Sequence, residues 1–289
     1  MNVTEHSPRV DSEWGVELLD VDAYLTRLGF AEPPDPTLAS LNALHRAHAT
    51  TVPFENLDVL LGRGIPLDIE SLQHKLVRNR RGGYCFEHNL LFAALLERLG
   101  FQVTRLAARV RMGTTRILPR THMVLRVDID GQATCVEEDD WVWLADVGFG
   151  GEGLLEPIPL RHGATARQDS WHYLLTRETA ERWVLHSGHP DGWLSLYSFT
   201  LEPQHHVDYV VANHYTSTHP HSPFVTKAVI QRVAPHQRAR LVGRELTEIT
   251  SDGAGNRREV PDDELGSVLK ELGIELASED LRQLRTMQR

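Results

Sequence analysis

Residues 81–89 read Arg-Gly-Gly-Tyr-Cys-Phe-Glu-His-Asn, and this stretch separates one helical segment from the next. Its glycine pair ends a helical pattern that begins near Asp68, because glycine favours helix ends over helix interiors. Over residues 85–99 apolar side chains recur at helical spacing, and Gly100 closes the pattern, so a largely buried helix is predicted. Cys85 is therefore expected at a helix N-terminus, where free N–H groups and the helix dipole favour a thiolate.

Helical signals also dominate the chain before this stretch. Residues 21–28 suit a short helix, and Asp35 and Pro36 are predicted as the N-cap and first residue of a second helix. Residues 1–100 are thus expected to form a helical bundle that carries Cys85.

Beyond Gly100 the apolar period changes to two, which indicates strands. Asp130 and Gly131 form a dipeptide typical of hairpin turns. An antiparallel, barrel-like domain is predicted over residues 101–203, with strands at 102–110, 122–130, 133–136, 141–149, 171–175, 182–185 and 193–199.

The last section, residues 204–289, mixes both periods and predicts an α/β lid. Residues 251–258 contain turn-forming glycine and asparagine and are predicted as a turn. The predicted helices cover 207–213, 262–272 and 278–287, and the predicted strands cover 224–233 and 240–250. The fold class predicted for the whole chain is α+β.

Composition excludes several classes of protein. The 289 residues are 41% hydrophobic and 24% charged, as in ordinary globular chains, and the formal net charge is −10. A protein that binds nucleic acid needs clustered cations, so this charge argues against such a partner. The basic run Arg78, Arg80 and Arg81 is interpreted as a helix end.

Two cysteines, Cys85 and Cys135, are too few for a disulfide framework in a chain of this length. Residues 1–10 carry no leader pattern, and no apolar run approaches the roughly 20 residues that span a bilayer. The sequence therefore predicts a cytoplasmic protein without a membrane partner.

A cysteine nucleophile needs a histidine that accepts and returns its proton, and a carboxylate that orients the histidine. His122 and Asp146 are the best pair, because they lie on predicted neighbouring strands that can meet at one rim. Each residue also has a purely structural interpretation, since a buried cysteine packs as a small apolar residue and sixteen histidines compete for the role.

Two further sequence patterns bear on ligand binding. The glycine-rich residues 148–153 offer backbone N–H groups that can receive phosphate oxygens, but the run follows a strand without opening a helix, so a plain turn is favoured. Clustered histidines lack the spacing of zinc ligands, and no metal site is predicted at His205, His206, His214, His219 or His221.

Four motifs together resemble the arylamine N-acetyltransferase family. Residues 81–89 resemble its nucleophile segment, residues 52–57 its upstream signature, and residues 121–122 and 146–151 its remaining motifs in the same order. The similarity covers roughly residues 20–230. It implies a helical bundle, a β-barrel and an α/β lid that meet at a cysteine-protease-like Cys-His-Asp core.

The resemblance implies a ping-pong reaction in which Cys85 accepts acetyl from acetyl-coenzyme A and passes it to an arylamine, arylhydroxylamine or hydrazine. His122 would move the proton, Asp146 would hold the histidine tautomer, and Arg81 would brace the nucleophile segment. No metal is implied.

By the same resemblance, Thr121, Phe149, Gly150 and Gly151 would bind acetyl-coenzyme A, and Phe54 and Phe149 would line an apolar acceptor pocket. Ordinary core packing explains the two phenylalanines equally well. His122 and Asp146 are 24 residues apart, longer than is usual in that family. An extended hairpin, with extra residues at 133–141 and an acidic run at 137–140, accounts for the difference.

Other functions use the same three residues. A macrolactam-forming amide synthase and a thiol hydrolase are the enzymatic alternatives, and a non-enzymatic binding module is the third. The sequence leaves the acceptor, the range of acyl donors and the formation of a homo-oligomer open.

Overall fold

A computed structural model describes residues 13–129, 141–250 and 254–287. Side-chain caps set the starts of the N-terminal helices: Asp20 accepts from the Ala23 N–H, and Thr37 accepts from the Ser40 N–H. The prediction of Asp35 as an N-cap is wrong, because Thr37 takes that role. The elements in this part are α1 (Val21–Leu28), α2 (Leu38–Thr51), β1 (Phe54–Glu55), α3 (Leu57–Leu60), α4 (Ile69–Gln73) and α5 (Cys85–Arg98).

Helix α5 is the centre of the helical region. Every side chain from Cys85 to Leu96 is buried. The helix packs against α1, α4 and the first strands of the neighbouring sheet. It begins at Cys85, as predicted, whereas the helix predicted from Asp68 is shorter: α4 passes into a wider turn at His74–Arg78 and ends before the glycine pair.

Eight antiparallel strands form the central sheet in the order β5-β4-β3-β2-β9-β8-β7-β6. The edge strands β5 and β6 approach each other, so the sheet nearly closes around its own core of Leu106, Val124, Leu185 and Tyr197. The strands are β2 (Gln102–Val110), β3 (His122–Asp128), β4 (Val142–Ala145), β5 (Ile158–Pro159), β6 (Ala164–Gln168), β7 (Trp171–Arg177), β8 (Trp183–His189) and β9 (Gly192–Pro203).

Strand β4 is shorter than the predicted 141–149, because from Asp146 onward the backbone bonds to side chains instead of a neighbouring strand. Strands β5 and β6 were not predicted. The turn predicted at Asp130 and Gly131, the strand at 133–136 and the acidic run at 137–140 lie outside the described residues.

The C-terminal part contains a second antiparallel sheet. Its elements are α6 (His206–Thr218), β10 (Val229–Val233), β11 (Gln237–Val242), β12 (Glu245–Thr250), β13 (Gly255–Glu259), α7 (Leu265–Glu271) and α8 (Ser278–Met287). The single strand predicted at 240–250 is wrong, since a turn at Gly243 splits it into β11 and β12. The turn predicted at 251–258 overlaps β13.

Strand β1, which lies in the helical N-terminal part of the chain, pairs with the C-terminal sheet. Phe54 lies opposite Gln231 and Glu55 opposite Ile230, which makes β1 the edge strand of the C-terminal sheet. The mixture of helices and antiparallel sheets is the predicted α+β class. The domain boundaries predicted after residues 100 and 203 remain predictions.

None of the described helices has both the length and the apolarity that a membrane span requires.

Arg238 on β11 ties the C-terminal sheet to the barrel. Its guanidinium donates to Glu152 Oε2 at 2.8 Å and to Tyr173 Oη at 2.7 Å, and it stacks 3.7 Å from the centre of the Trp171 ring. Only 6% of the Arg238 side chain is exposed. A desolvated cation with these partners fixes the relative position of both sheets.

We predict that Arg238→Met lowers the free energy of unfolding by about 3 kcal/mol, because it leaves a largely buried carboxylate without its arginine partner. Urea unfolding measures the change. Arg257→Met is the control, since Arg257 is 71% exposed and its pair with Glu245 should contribute less than about 1 kcal/mol. Equal losses in the two variants would contradict the assignment.

Candidate active site

The turn before Cys85 is held by close backbone contacts. A Cβ atom on Gly82 would lie 2.0 Å from the Pro53 carbonyl oxygen, so only glycine fits there. The Glu55 N–H donates to the Gly83 carbonyl at 2.7 Å, and the Tyr84 N–H donates to Glu87 Oε2 at 2.9 Å. These contacts fix the position at which α5 begins.

Buried charges reinforce this turn. Arg81 donates to Glu55 Oε1 at 2.7 Å, and Lys75 bonds to Glu87 and Asp58 at 2.8 Å each. Burial works to lower the pKa of Lys75, but the surrounding carboxylates outweigh it and raise that pKa above its ordinary value. Arg81 is thus paired with Glu55, whose N–H bonds the Gly83 carbonyl, and the predicted bracing role of Arg81 stays a prediction.

A hydrogen-bonded series of buried side chains, Tyr24, His48 and His88, also supports this turn. His88 Nε2 donates to the Gly83 and Pro53 carbonyls at 3.0 and 3.2 Å, so its Nδ1 accepts from His48 Nε2 at 2.8 Å. The other nitrogen of His48 then accepts from the Tyr24 hydroxyl. Burial is the main cause that lowers the pKa of His88 to about 4, and it also lowers the pKa of His48. Both histidines are therefore neutral at physiological pH.

Cys85, His122 and Asp146 lie together where α5 meets β3 and the end of β4. His122 Nε2 is 2.7 Å from Asp146 Oδ2. Cys85 is close enough to help raise the pKa of His122, and Nδ1 is the ring nitrogen that Asp146 leaves free. The thiol lies 3.5 Å from the Thr121 carbonyl oxygen, to which it can donate. All three side chains of the Cys-His-Asp set are nearly inaccessible to solvent.

The charged form of His122 is strongly favoured. Burial alone would lower its pKa, but the Asp146 carboxylate, together with Cys85, raises the pKa to about 10. Burial alone would likewise raise the pKa of Asp146, but His122 and other donors lower it below its usual value. An imidazolium–carboxylate pair is therefore the stable state at neutral pH.

Asp146 is held on every side. Asn89, one helical turn after Cys85, donates to Asp146 Oδ1 at 3.0 Å, and the Gly148 N–H donates to the same oxygen at 2.9 Å. The Asp146 N–H donates to His45 Nε2 at 3.1 Å. Burial lowers the pKa of His45 to about 4, which keeps that nitrogen free to accept. Neither Asn89 nor His45 was predicted as a site residue.

The glycine-rich loop places an aromatic ring against the histidine. Phe149 packs edge-on against His122, with ring centres 5.2 Å apart. Gly150 has a positive φ of 87°, and a Cβ there would lie 1.9 Å from Gln231 Oε1. Gln231 Oε1 also accepts from the Gly151 N–H at 2.6 Å. The plain-turn interpretation of this loop fits its geometry.

Two cavities border this cluster. Phe54, Phe149, Gly150, Asp146 and Gln231 line the smaller one, which has a volume of about 10 Å³, enough for about one water molecule. The larger is a cleft of about 300 Å³ between α6 and residues 119–121, and the volume suits a ligand of one or two rings. We call it the α6 cleft.

Thr121 lines the α6 cleft, whereas Phe54, Phe149 and Gly150 line the small cavity. Of the residues predicted to bind acetyl-coenzyme A, Thr121 is therefore at one cavity and Phe149 and Gly150 are at the other, while Gly151 lines neither of the two. Within the described ranges no group of three or more histidine, cysteine or acidic side chains is arranged to hold a metal ion.

An N-acetyltransferase family model matches residues 37–281. A curated arylamine N-acetyltransferase from Mycolicibacterium smegmatis is 42% identical over 232 residues, which is 79% of this chain and 82% of the relative. This chain belongs to the arylamine N-acetyltransferase family.

Solved structures of arylamine N-acetyltransferases have the same fold. The Nocardia farcinica enzyme superposes with a TM-score of 0.87 at 44% identity, over 96% of this chain and 98% of that one. The Mycobacterium marinum enzyme in complex with CoA gives 0.81 at 34% identity, over 93% and 99%. The predicted fold class and family are confirmed.

For an arylamine N-acetyltransferase with this ion pair, stability should depend on pH in a defined direction. The pKa of His122 is raised from 6.5 to about 10, so the stability that it contributes is complete below about pH 6.5 and is lost as the pH rises through about 10. We predict that the gap in free energy of unfolding between the wild type and His122→Gln narrows steadily between these pH values.

Urea unfolding of both proteins across this range measures the gap, and glutamine is suitable because it retains a polar group but does not titrate. A gap that stays constant or widens with rising pH would contradict the imidazolium assignment.

Proposed function

We propose that this chain, an acyltransferase of the arylamine N-acetyltransferase family, carries acetyl from acetyl-coenzyme A to an arylamine, arylhydroxylamine or hydrazine through a thioester on Cys85. The observation that carries the proposal is the buried cluster in which Cys85 contacts the Thr121 carbonyl and the next residue, His122, is paired with Asp146 at 2.7 Å. Activity on acetyl donors and aromatic amines agrees with the names of the matched relatives.

In the first half-reaction His122 already holds the proton of Cys85 as an imidazolium, and the Cys85 thiolate attacks the carbonyl carbon of the donor thioester. Cys85 lies at the positive end of α5, which stabilises the thiolate. When the carbon–sulfur bond to coenzyme A breaks, the departing thiolate takes the proton from His122. Cys85 is left acetylated and His122 neutral.

The second half-reaction reverses these roles. The acceptor amine attacks the acetyl carbonyl, His122 takes the proton that the amine loses, and the Cys85 thiolate leaves. His122 and Cys85 thus return to their starting state. Asp146 keeps Nδ1 of His122 directed at the sulfur throughout, because it engages the other ring nitrogen.

The roles of the remaining residues follow from the two cavities. Thr121 lines the α6 cleft and its carbonyl contacts the Cys85 thiol, so we place the approach of acetyl-coenzyme A there. A ligand oxygen that binds the Gly151 N–H must displace Gln231. Phe54 and Phe149 would contact the acceptor, and because their cavity holds about one water, side-chain movement must accompany binding.

The comparisons do not favour the alternatives, since the matched relatives are arylamine N-acetyltransferases rather than amide synthases or thiol hydrolases. A binding module would have no use for the buried Cys-His-Asp contact. The cytoplasmic location and the oligomeric state remain predictions.

We predict that acetyl-coenzyme A alone acetylates Cys85 and that an added arylamine removes the acetyl group. Intact-mass measurement and peptide mapping detect both steps. Cys85→Ser should form no adduct and should lose turnover, because its oxygen is a poor nucleophile at the same volume. Circular dichroism tests whether the variant is folded, and turnover by a folded Cys85→Ser protein would overturn the proposal.

We predict that Asp146→Asn lowers kcat/KM by at least about a hundredfold, since a misoriented His122 loses most of its acid–base contribution. Asp128→Asn is a matched control, because Asp128 ends the same β3 strand as His122 but pairs with Arg126 at 2.9 Å away from the cluster. Steady-state kinetics of both variants make the comparison. Near-normal turnover by Asp146→Asn would remove Asp146 from the mechanism.

A further inference from the structure

One surface region of this acidic protein is basic. Four arginines, which we call the arginine patch, lie on β2, on the connection from β2 to β3 and immediately before β8: Arg109, Arg111, Arg120 and Arg182. The formal net charge of the whole chain is −10, so a surface region with more arginines than carboxylates differs in charge from the protein as a whole.

Two carboxylates pair with members of the arginine patch. Glu178 accepts from Arg111 at 2.9 and 2.8 Å and from Arg182 at 3.2 Å. Glu202 accepts from Arg120 at 3.0 Å. These pairs are partly exposed and are worth little in stability.

Arg109 differs from the other members of the patch. Its guanidinium donates to the Leu118 carbonyl at 2.6 Å, and no carboxylate within residues 13–129, 141–250 or 254–287 forms an ion pair with it. Partial burial lowers the pKa of Arg109, and the positive charges of Arg120 and Arg182 lower it further. One guanidinium therefore retains donors and positive charge that an anion would satisfy.

The arginine patch borders the α6 cleft. Alternate residues of β2 face opposite sides: Leu106 and Ala108 fill the barrel core, whereas Ala107 lines the α6 cleft. Arg109 is on the same side of the strand as Ala107, one step further along. Arg120 itself lines the cleft.

The wall of the α6 cleft connects the arginine patch to the nucleophile. Residues 119–121 form that wall. At one end Leu118 is bonded to Arg109, and at the other end the Thr121 carbonyl contacts the Cys85 thiol. Thr121 therefore lies between the α6 cleft and the sulfur, and the same short segment is bonded to the arginine patch at its other end.

We infer that the arginine patch binds the phosphate groups of the acyl-coenzyme A donor while its thioester end reaches Cys85 along the α6 cleft. The inference rests on the proposed function, because only an acyl donor needs both contacts. Coenzyme A carries its phosphates at the end opposite the thioester, and guanidinium groups bind phosphate through charge-assisted, often paired hydrogen bonds. Asp208, which also lines the cleft, is engaged by the His205 N–H at 2.9 Å.

Isothermal titration with coenzyme A, 3′-dephospho-coenzyme A and pantetheine tests the inference, with Arg109→Gln and Arg120→Gln as variants. We predict that Arg109→Gln raises the Kd of coenzyme A about tenfold, as expected for the loss of a hydrogen bond between charged groups, and that the Kd of pantetheine stays the same. The dependence of the coenzyme A Kd on salt concentration should also become weaker. Arg257→Gln, a change of the same charge on β13, is the control and should alter neither Kd.

Kinetics separate this inference from the proposed function. The ratio of Cys85 acetylation rates from acetyl-coenzyme A and from S-acetylpantetheine should fall about tenfold in Arg109→Gln. An unchanged coenzyme A Kd, or an equal rise for coenzyme A and pantetheine, would overturn the arginine assignment. Failure of the wild type to acetylate Cys85 with either donor would instead overturn the proposed function, whatever the Kd values are.

Discussion

The side-chain amide of Asn89 connects the elements that carry the three predicted catalytic residues. It donates to the Met123 carbonyl, next to His122, and to Asp146 Oδ1, and it accepts from the Val147 N–H. Because Asn89 is one turn after Cys85 in the buried part of α5, one rigid group fixes α5, β3 and the end of β4 relative to each other. Because three hydrogen bonds of this buried amide are satisfied in this way, the three elements cannot move apart without breaking them.

The buried histidines show how surroundings decide protonation. His45, His48, His88 and His122 are all inaccessible to solvent, yet the pKa of the first three is lowered while that of His122 is raised. The three histidines with lowered pKa bond only to uncharged groups, namely backbone carbonyls, a backbone N–H, the Tyr24 hydroxyl and one another, whereas Asp146 is in direct contact with His122. The buried Asp146 carboxylate, together with Cys85, outweighs the burial penalty at His122, and this separates His122 from the three histidines whose pKa is lowered.

The sequence was most informative where local pattern and structure coincide. The glycine pair and the apolar spacing after Cys85 correctly predicted that α5 begins at the nucleophile, and the change to a strand-like pattern after Gly100 correctly predicted β2. Two-residue strands such as Ile158–Pro159 carry no detectable period, so β5 could not be found. The predicted end of α6 falls short of the observed end. The buried residues in the last turns, Asn213 and Thr216, are polar, so the apolar pattern that would indicate a helix is absent there.

The candidate site was predictable only through residues whose chemistry is distinctive. Cys85, His122 and Asp146 were chosen because a nucleophile, a base and an orienting group are needed together. His45 gave no such signal, because its partners are the backbone of Asp146 and Leu155, which are about one hundred residues away in sequence. Gln231 was missed for the same reason, since its partner is a backbone N–H of the glycine-rich loop.

The pairing of β1 with β10 has a consequence for how the protein is made. Phe54 and Glu55 leave the ribosome early, but the strand that completes their hydrogen bonds is synthesised about 175 residues later. Glu55 also anchors Arg81 beside the nucleophile. A nascent chain can therefore form α5 and the barrel while the segment before Cys85 still lacks its neighbour, and the reactive cysteine acquires its final setting only near the end of translation.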